Sequence, residues 1–327
     1  MLKKKNKFMS HLRYTYFPAP IRAGFNYLNG LKKCFAERYP LAAQPGQLSC
    51  DPVFIIGAGR SGTTLLRSML VAGGEIAIPT ETQIVHKMAV LFETTRSLGW
   101  NDQARLVISA FESHRYFPLW RIDMASAYQK VLALPKKERS LARIIDEVYM
   151  TYASQAFPSA SVWGDQSPMH TFYLPYIVRI FPRARFVHML RDGRDVTASL
   201  VSRFGNGHLY ESVLRWTTSL KRIEQLRNRI STSQFIEIRY EDLVNEPEKV
   251  LMRLCLFIGI EYSNTMLDYW KLPTTIEHKY ESFHKNLEKP VFDSSIGKWK
   301  EVLDSEQQNY VNKKLDRKLQ EYGYLER

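Results

Sequence analysis

The chain has 327 residues, with 46 Lys and Arg against 33 Asp and Glu, giving a formal net charge of +13. At 45% hydrophobic and 24% charged residues it is too apolar for a disordered chain, and it holds enough apolar material for one large domain or two small ones. The positive excess favours an anionic partner: nucleic acid, a phosphorylated cofactor, an acidic glycan or an anionic membrane surface.

Residues 1 to 46 read as a basic, aromatic arm, punctuated by Phe17-Pro18-Ala19-Pro20 and Gln44-Pro45-Gly46, with one domain expected over 47–327. Within the arm, Asn26 to Arg38 suits a short helix with Leu28, Leu31 and Phe35 on one side. That helix either packs on the domain or touches a membrane surface or a partner. No run approaches the ~20 apolar residues of a membrane span. The basic start, Met1-Leu2-Lys3-Lys4-Lys5, leads into no apolar signal core, so the expectation is a cytoplasmic protein. Cys34, Cys50 and Cys255 are too few and too scattered for a disulfide framework and are expected as thiols. No CxxC or HExxH spacing occurs, so no metal site is expected.

From Pro52 onward an apolar run, a turn and a helical stretch repeat. Val53–Ile56, Phe186–Leu190 and Phe235–Ile238 are short apolar runs, and Ser161–Trp163 is a weaker fourth. Such runs fit strands buried on both faces of a parallel sheet. Helical spacing covers residues from Thr63, 141–156, 173–181, 211–229 and 247–258. The alternation predicts an α/β fold: a P-loop-like three-layer arrangement with a mostly parallel central sheet flanked by helices. Ligands of such sheets bind beyond the carboxyl ends of the strands.

The first strand leads into Gly57-Ala58-Gly59-Arg60-Ser61-Gly62-Thr63-Thr64. Glycines let the loop turn tightly and aim N–H groups inward, and the helix that follows adds its dipole. Ser61, Thr63 and Thr64 add hydroxyls, and Arg60 adds a charged fork. The spacing resembles a nucleotidase loop, but Thr63 stands where that chemistry needs Lys, which argues against a P-loop nucleotide kinase. The strand at 186–190 leads into Arg191-Asp192-Gly193-Arg194-Asp195 and then Ser199 and Arg203, which share a helix face. Arg191, Ser199 and Arg203 suit a dianionic phosphate, although Asp192 and Asp195 could instead pair with the arginines. Two anion cradles on neighbouring strand ends suggest a nucleotide with separated 5′- and 3′-phosphates. No nucleic-acid-binding motif is visible, so nucleic acid is not an expected partner.

These residues resemble a known family. Arg60-Ser61-Gly62-Thr63-Thr64-Leu65-Leu66-Arg67 is similar to the 5′-phosphosulfate loop of sulfotransferases that use 3′-phosphoadenylyl sulfate (PAPS), and Arg191 through Ser199 to their 3′-phosphate element. Arg in the loop is closer to the tyrosylprotein-sulfotransferase-like and bacterial branch. The resemblance runs from about Pro52 to Trp299 and includes Trp163-Gly164-Asp165-Gln166-Ser167-Pro168, Arg239–Leu243 and Ser295–Trp299. It implies in-line, metal-independent sulfuryl transfer to a hydroxyl or amine acceptor, with 3′,5′-diphosphoadenosine (PAP) as product. The acceptor would be a glycan, lipid, peptide or small metabolite.

The resemblance also assigns roles. Arg60 to Thr64 would hold the 5′-phosphosulfate, with Arg60 where charge grows on the leaving oxygen. Arg191, Ser199 and Arg203 would hold the 3′-phosphate. Tyr240 would contact the nucleotide, and Lys298 would close over it. Glu81 falls on the family's base, with His86 in reserve; the plainer reading of Glu81 is an acid at a helix start. Gln166 departs from the pattern, because relatives usually carry Lys there to stabilise the transferring group. Gln can still donate a hydrogen bond. The alternative is therefore a PAPS- or PAP-binding protein with reduced turnover. His170 and His188 are expected to be structural. The stretch from Leu98 to Pro158 is expected to shape the acceptor pocket, with Phe111, Tyr116, Phe117 and Trp120.

Overall fold

The computed structural model describes residues 38–271 and 287–325. Most of the expected arm, including Cys34 and the Asn26–Glu37 stretch, lies outside the described residues. Tyr39 sits edge-on to Trp100 at 5.1 Å, and the carbonyls of Pro40 and Leu41 accept the amides of Leu141 and Ala142. Residues 39–50 thus pack on the same core as the residues after them.

Five strands form the sheet: β1 (Val53–Gly57), β2 (Ile76–Ala77), β3 (Val162–Gln166), β4 (Arg185–Leu190) and β5 (Phe235–Arg239). Their order is β2-β3-β1-β4-β5 and all pair in parallel. β1 alternates in strict period two, as a strand must. Phe54 and Ile56 enter one core, and Val53 and Ile55 enter the core on the opposite face.

The first face is covered by α2 (Val85–Thr94), α3 (Trp100–Glu112), α4 (Ala125–Ala133), α5 (Leu141–Ala156) and α6 (Leu174–Ile180). The other carries α1 (Thr63–Ala72), α9 (Tyr240–Asn245) and α10 (Pro247–Ile258). A third cluster joins α7 (Gly193–Phe204), α8 (Leu209–Arg227), α11 (Trp299–Val302) and α12 (Ser305–Glu321). The expected three-layer α/β arrangement is present, and the strands expected at 53, 161, 186 and 235 are all found. No helix among the described residues is long and apolar enough to cross a membrane.

The chain leaves β1 toward β2 and β3 on one side, then returns past β1 to β4 and β5 on the other. Strand order therefore reverses beside β1. A crevice opens beyond the carboxyl ends at such a switch point, and the loop after β1 lies there.

Candidate active site

A cleft of about 910 Å³ opens at this point. Its floor is the loop between β1 and α1. Arg60 and Gly62 both adopt left-handed backbone, with φ of 72° and 94°. Left-handed backbone at these two positions makes a tight turn into α1. Gly62 is the N-cap of α1 and no side chain caps that end. Arg60, Gly62, Thr63 and Thr64 line the cleft. Ser61 does not: it is 1% exposed, and its amide turns back to the Ala58 carbonyl at 3.2 Å. Its hydroxyl is buried without a hydrogen-bond partner among the described residues.

The second anion element meets the first. Arg191, at the end of β4, donates from Nη1 to the Arg60 carbonyl at 3.1 Å and from Nη2 to the Ser295 carbonyl at 2.6 Å. Its guanidinium lies 4.2 Å from the centre of the Tyr240 ring. Arg60 in turn donates from Nε to Ser199 Oγ on α7 at 3.1 Å. The sequence suggested two cradles a nucleotide's length apart. Arg60 links the two elements, its carbonyl to Arg191 and its side chain to Ser199 on α7. Arg203 and Lys298 stand on the exposed rim of the same cleft.

Of the two nearby acids, Asp192 pairs with Arg194 at 2.6 Å. Asp195 instead accepts the backbone amides of Gly297 and Trp299, both at 2.9 Å. Burial pushes the Asp195 pKa up, while those two amides oppose the rise. Asp195 thereby holds the 295–299 segment, and with it Lys298, against the rim.

Glu81 and Gln166 line the same cleft. Gln166 ends β3, is 1% exposed, and donates from Nε2 to Thr63 Oγ1 at 2.9 Å. Glu81 accepts a bond from Gln83 Nε2 at 2.8 Å. It does not cap α2, whose N-cap is Ile84 and whose first turn has no acid. The helix-start reading of Glu81 is thus not the one the structure adopts.

The family model described as "Sulfotransferase family" matches residues 52–264. The chain belongs to the sulfotransferase family. This sulfotransferase is 26% identical over 257 residues to protein-tyrosine sulfotransferase 2 of Gallus gallus, covering 76% of this chain and 62% of that protein. It is 24% identical over 259 residues to protein-tyrosine sulfotransferase 1 of Danio rerio, covering 76% of this chain and 65% of that one. The match thus spans less than two thirds of either relative. Its fold is that of the sulfotransferase domain from the Synechococcus PCC 7002 olefin synthase, with a TM-score of 0.58, 21% identity, and 84% of this chain against 98% of that one. The sulfotransferase domain from the curacin biosynthetic pathway gives a TM-score of 0.52 at 20% identity, over 86% and 99% of the two chains.

Behind the cleft the sulfotransferase keeps a buried polar cluster. Asp165 is 1% exposed and accepts the Thr82 hydroxyl at 2.6 Å and the Tyr149 hydroxyl on Oδ2, while its Oδ1 lies 2.9 Å from His170 Nδ1. Burial works against its charge, yet His170 and the bonds from Thr82 and Tyr149 outweigh burial and hold its pKa below the usual value. His86, expected as the reserve base, does not line the cleft. It stacks flat on Tyr173 at 4.0 Å, and burial, followed by His170 and Lys87, lowers its pKa to about 4. His188 lies 2.9 Å from Glu237 across β4 and β5, a structural place.

The acceptor wall differs from expectation. Phe111 and Trp120 are core residues, with Trp120 packed 5.1 Å from Tyr152 and 5.7 Å from Tyr149. Phe117 packs against the same core. Only Tyr116 of that group lines the cleft, joined by Arg115 and Leu119. Tyr269, Leu287, Val291 and Phe292, which no motif marked, also line the cleft.

Proposed function

We propose that this chain moves a sulfuryl group from PAPS to a hydroxyl acceptor and releases PAP. The observation that carries the reading is the polarity of one cleft. Arg60, Arg191, Arg203 and Lys298 line one cleft together with the loop after β1, and Glu81 lines the same cleft. The donor set fits a doubly anionic nucleotide. Arg191 is 8% exposed, and its Nε is buried without a partner, which leaves a charged donor for an anion.

PAPS would supply a sulfuryl group on a phosphoric–sulfuric anhydride, with PAP as the leaving half. The protein's share is alignment and charge placement. The loop amides from Gly62 to Thr64 and the Arg60 guanidinium would hold the 5′ end. Arg191, Ser199 and Arg203 would hold the 3′-phosphate, and Tyr240 would flank the nucleotide. Asp195 keeps Lys298 at the rim through the 297–299 backbone. Glu81 would accept the acceptor's proton. Gln166 would act through Thr63 as a neutral donor where the family usually carries a cation.

The relatives named for protein-tyrosine transfer support a peptide hydroxyl as the first acceptor to try. The test is thermal unfolding with PAP and with ATP–Mg²⁺, beside transfer of labelled sulfuryl from PAPS to a tyrosine peptide. A clear rise in melting temperature with PAP, abolished in Arg191→Ala, is expected. Equal shifts with ATP–Mg²⁺, or none with PAP at millimolar concentration, would reject the donor assignment. Binding without measurable turnover would favour the reduced-turnover reading that Gln166 raises.

A further inference from the structure

Glu81 sits in a stretch, residues 78–84, that belongs to neither β2 nor α2. Irregular segments move easily unless their polar groups are tied down. This one is tied by two buried charged side chains from separate elements. On one side, Arg67 of α1, 2% exposed, donates from Nε to the carbonyls of Ile78 at 2.7 Å and Pro79 at 3.0 Å. On the other, Thr82, 1% exposed, donates its hydroxyl to Asp165 Oδ2 at 2.6 Å. Glu81 lies between the two anchors.

Both anchors are charge-assisted, which makes each roughly twice as strong as a neutral bond. Both are buried, so losing a partner leaves a charged group short of compensation. Asp165 is further fixed by Tyr149 from α5 and by His170. The next residue, Gln166, bonds Thr63 in the phosphate loop. One strand end therefore reaches both the segment bearing Glu81 and the loop proposed to hold the donor.

We propose that Arg67 and the Thr82–Asp165 pair form a two-point clamp that sets the Glu81 carboxylate relative to the phosphate loop. They are positioning residues, acting through backbone and loop rather than on substrate. The inference rests on Glu81 being the base.

The decisive variant is Thr82→Val, which keeps the shape and removes only the hydroxyl. The probes are PAP for binding and labelled sulfuryl transfer from PAPS to a tyrosine peptide, with sulfate release to water as a second turnover readout. A displaced base should lower kcat by about 10- to 100-fold. The KM for PAPS and the PAP-induced thermal shift should hold within about twofold, because the donor cradle is untouched. Thr82→Ser should restore most of the turnover. In a Glu81→Gln background, Thr82→Val should cost little more, since both remove the same function. Hydrogen exchange of the 80–83 amides should rise in Thr82→Val while that of 61–66 stays constant. Arg67→Lys is the second variant and should show the same split between kcat and KM. Unchanged turnover in Glu81→Gln would overturn the base assignment. Unchanged turnover in Thr82→Val beside a crippled Glu81→Gln would overturn the clamp alone, as would losses that multiply in the double variant.

Discussion

Gly62→Ala tests the packing of the loop between β1 and α1. At Gly62 the backbone is left-handed, φ +94°, and an added Cβ would stand 2.5 Å from Tyr240 Cδ2, 3.0 Å from Cε2 and 3.3 Å from Met189 Cε. The left-handed backbone costs an alanine about 1–2 kcal/mol. Forcing a methyl against a buried ring costs about 1–3 kcal/mol more. Tyr240 cannot give way freely, because it is 7% exposed and carries the Arg191 guanidinium on its face. The sum is about 2–5 kcal/mol of stability, and the ring should push Arg191 out of register. Urea unfolding reads the first effect and calorimetric titration with PAP reads the second. In a Gly62→Ala, Tyr240→Leu double variant the clash disappears and the backbone strain stays, so the pair should couple by at least about 1 kcal/mol. A single variant within about 0.5 kcal/mol of the parent, with unchanged PAP affinity, would refute this account of the loop.

Asp195→Ala frees the amides of Gly297 and Trp299. It should weaken PAP by roughly tenfold and speed exchange of the 295–299 amides; intact affinity would contradict the rim's role. His86 has a folded pKa lowered from 6.5 to about 4. As pH falls from the first value toward the second, the unfolded chain takes a proton that the folded one refuses, so stability is lost on acidification. His86→Phe should flatten that part of the pH dependence of the urea midpoint, and identical slopes would exclude His86 as its source. Gln166→Lys places a charge at a site 1% exposed, so the ligand-free melting temperature should fall. The PAP-induced shift should then exceed the parent's, and a shift no larger than the parent's would argue that residue 166 does not face the donor's anion.

The sheet was legible because parallel strands buried on both faces announce themselves as apolar runs. β2 escaped, since two residues at an edge, Ile76 and Ala77, carry no period. The residues that meet in the cleft were legible because the chemistry proposed for them demands particular side chains: glycine for a left-handed turn, arginine and hydroxyls beyond it. Side-chain direction was not. Nothing in Gly59-Arg60-Ser61 says that the Arg60 backbone turns left-handed and throws its side chain toward Ser199. The acceptor wall was nearly silent for a related reason. Phe111 and Tyr116 are both aromatic, yet Phe111, on α3, enters the core and Tyr116, beyond the helix end, lines the cleft. Arg67 reads as one more helix arginine until its bonds to Ile78 and Pro79 are seen.

The neutral residue at position 166 changes how the proposed transfer can be stabilised. Gln166 spends an N–H on Thr63 Oγ1. A hydroxyl that accepts such a bond still has its own proton to give elsewhere, and Thr63 lines the cleft. The pair thus turns a buried amide into an oriented hydroxyl donor beside the phosphate loop. A lysine would have put a full charge there, whereas a hydroxyl brings no formal charge to set against the growing negative one. The growing charge on the leaving oxygen must therefore fall more heavily on Arg60 and the loop amides. Arg60 is also the residue that joins the two anion elements, with its carbonyl held by Arg191 and its side chain on Ser199. Under the proposed reaction, donor grip and leaving-group stabilisation converge on one side chain.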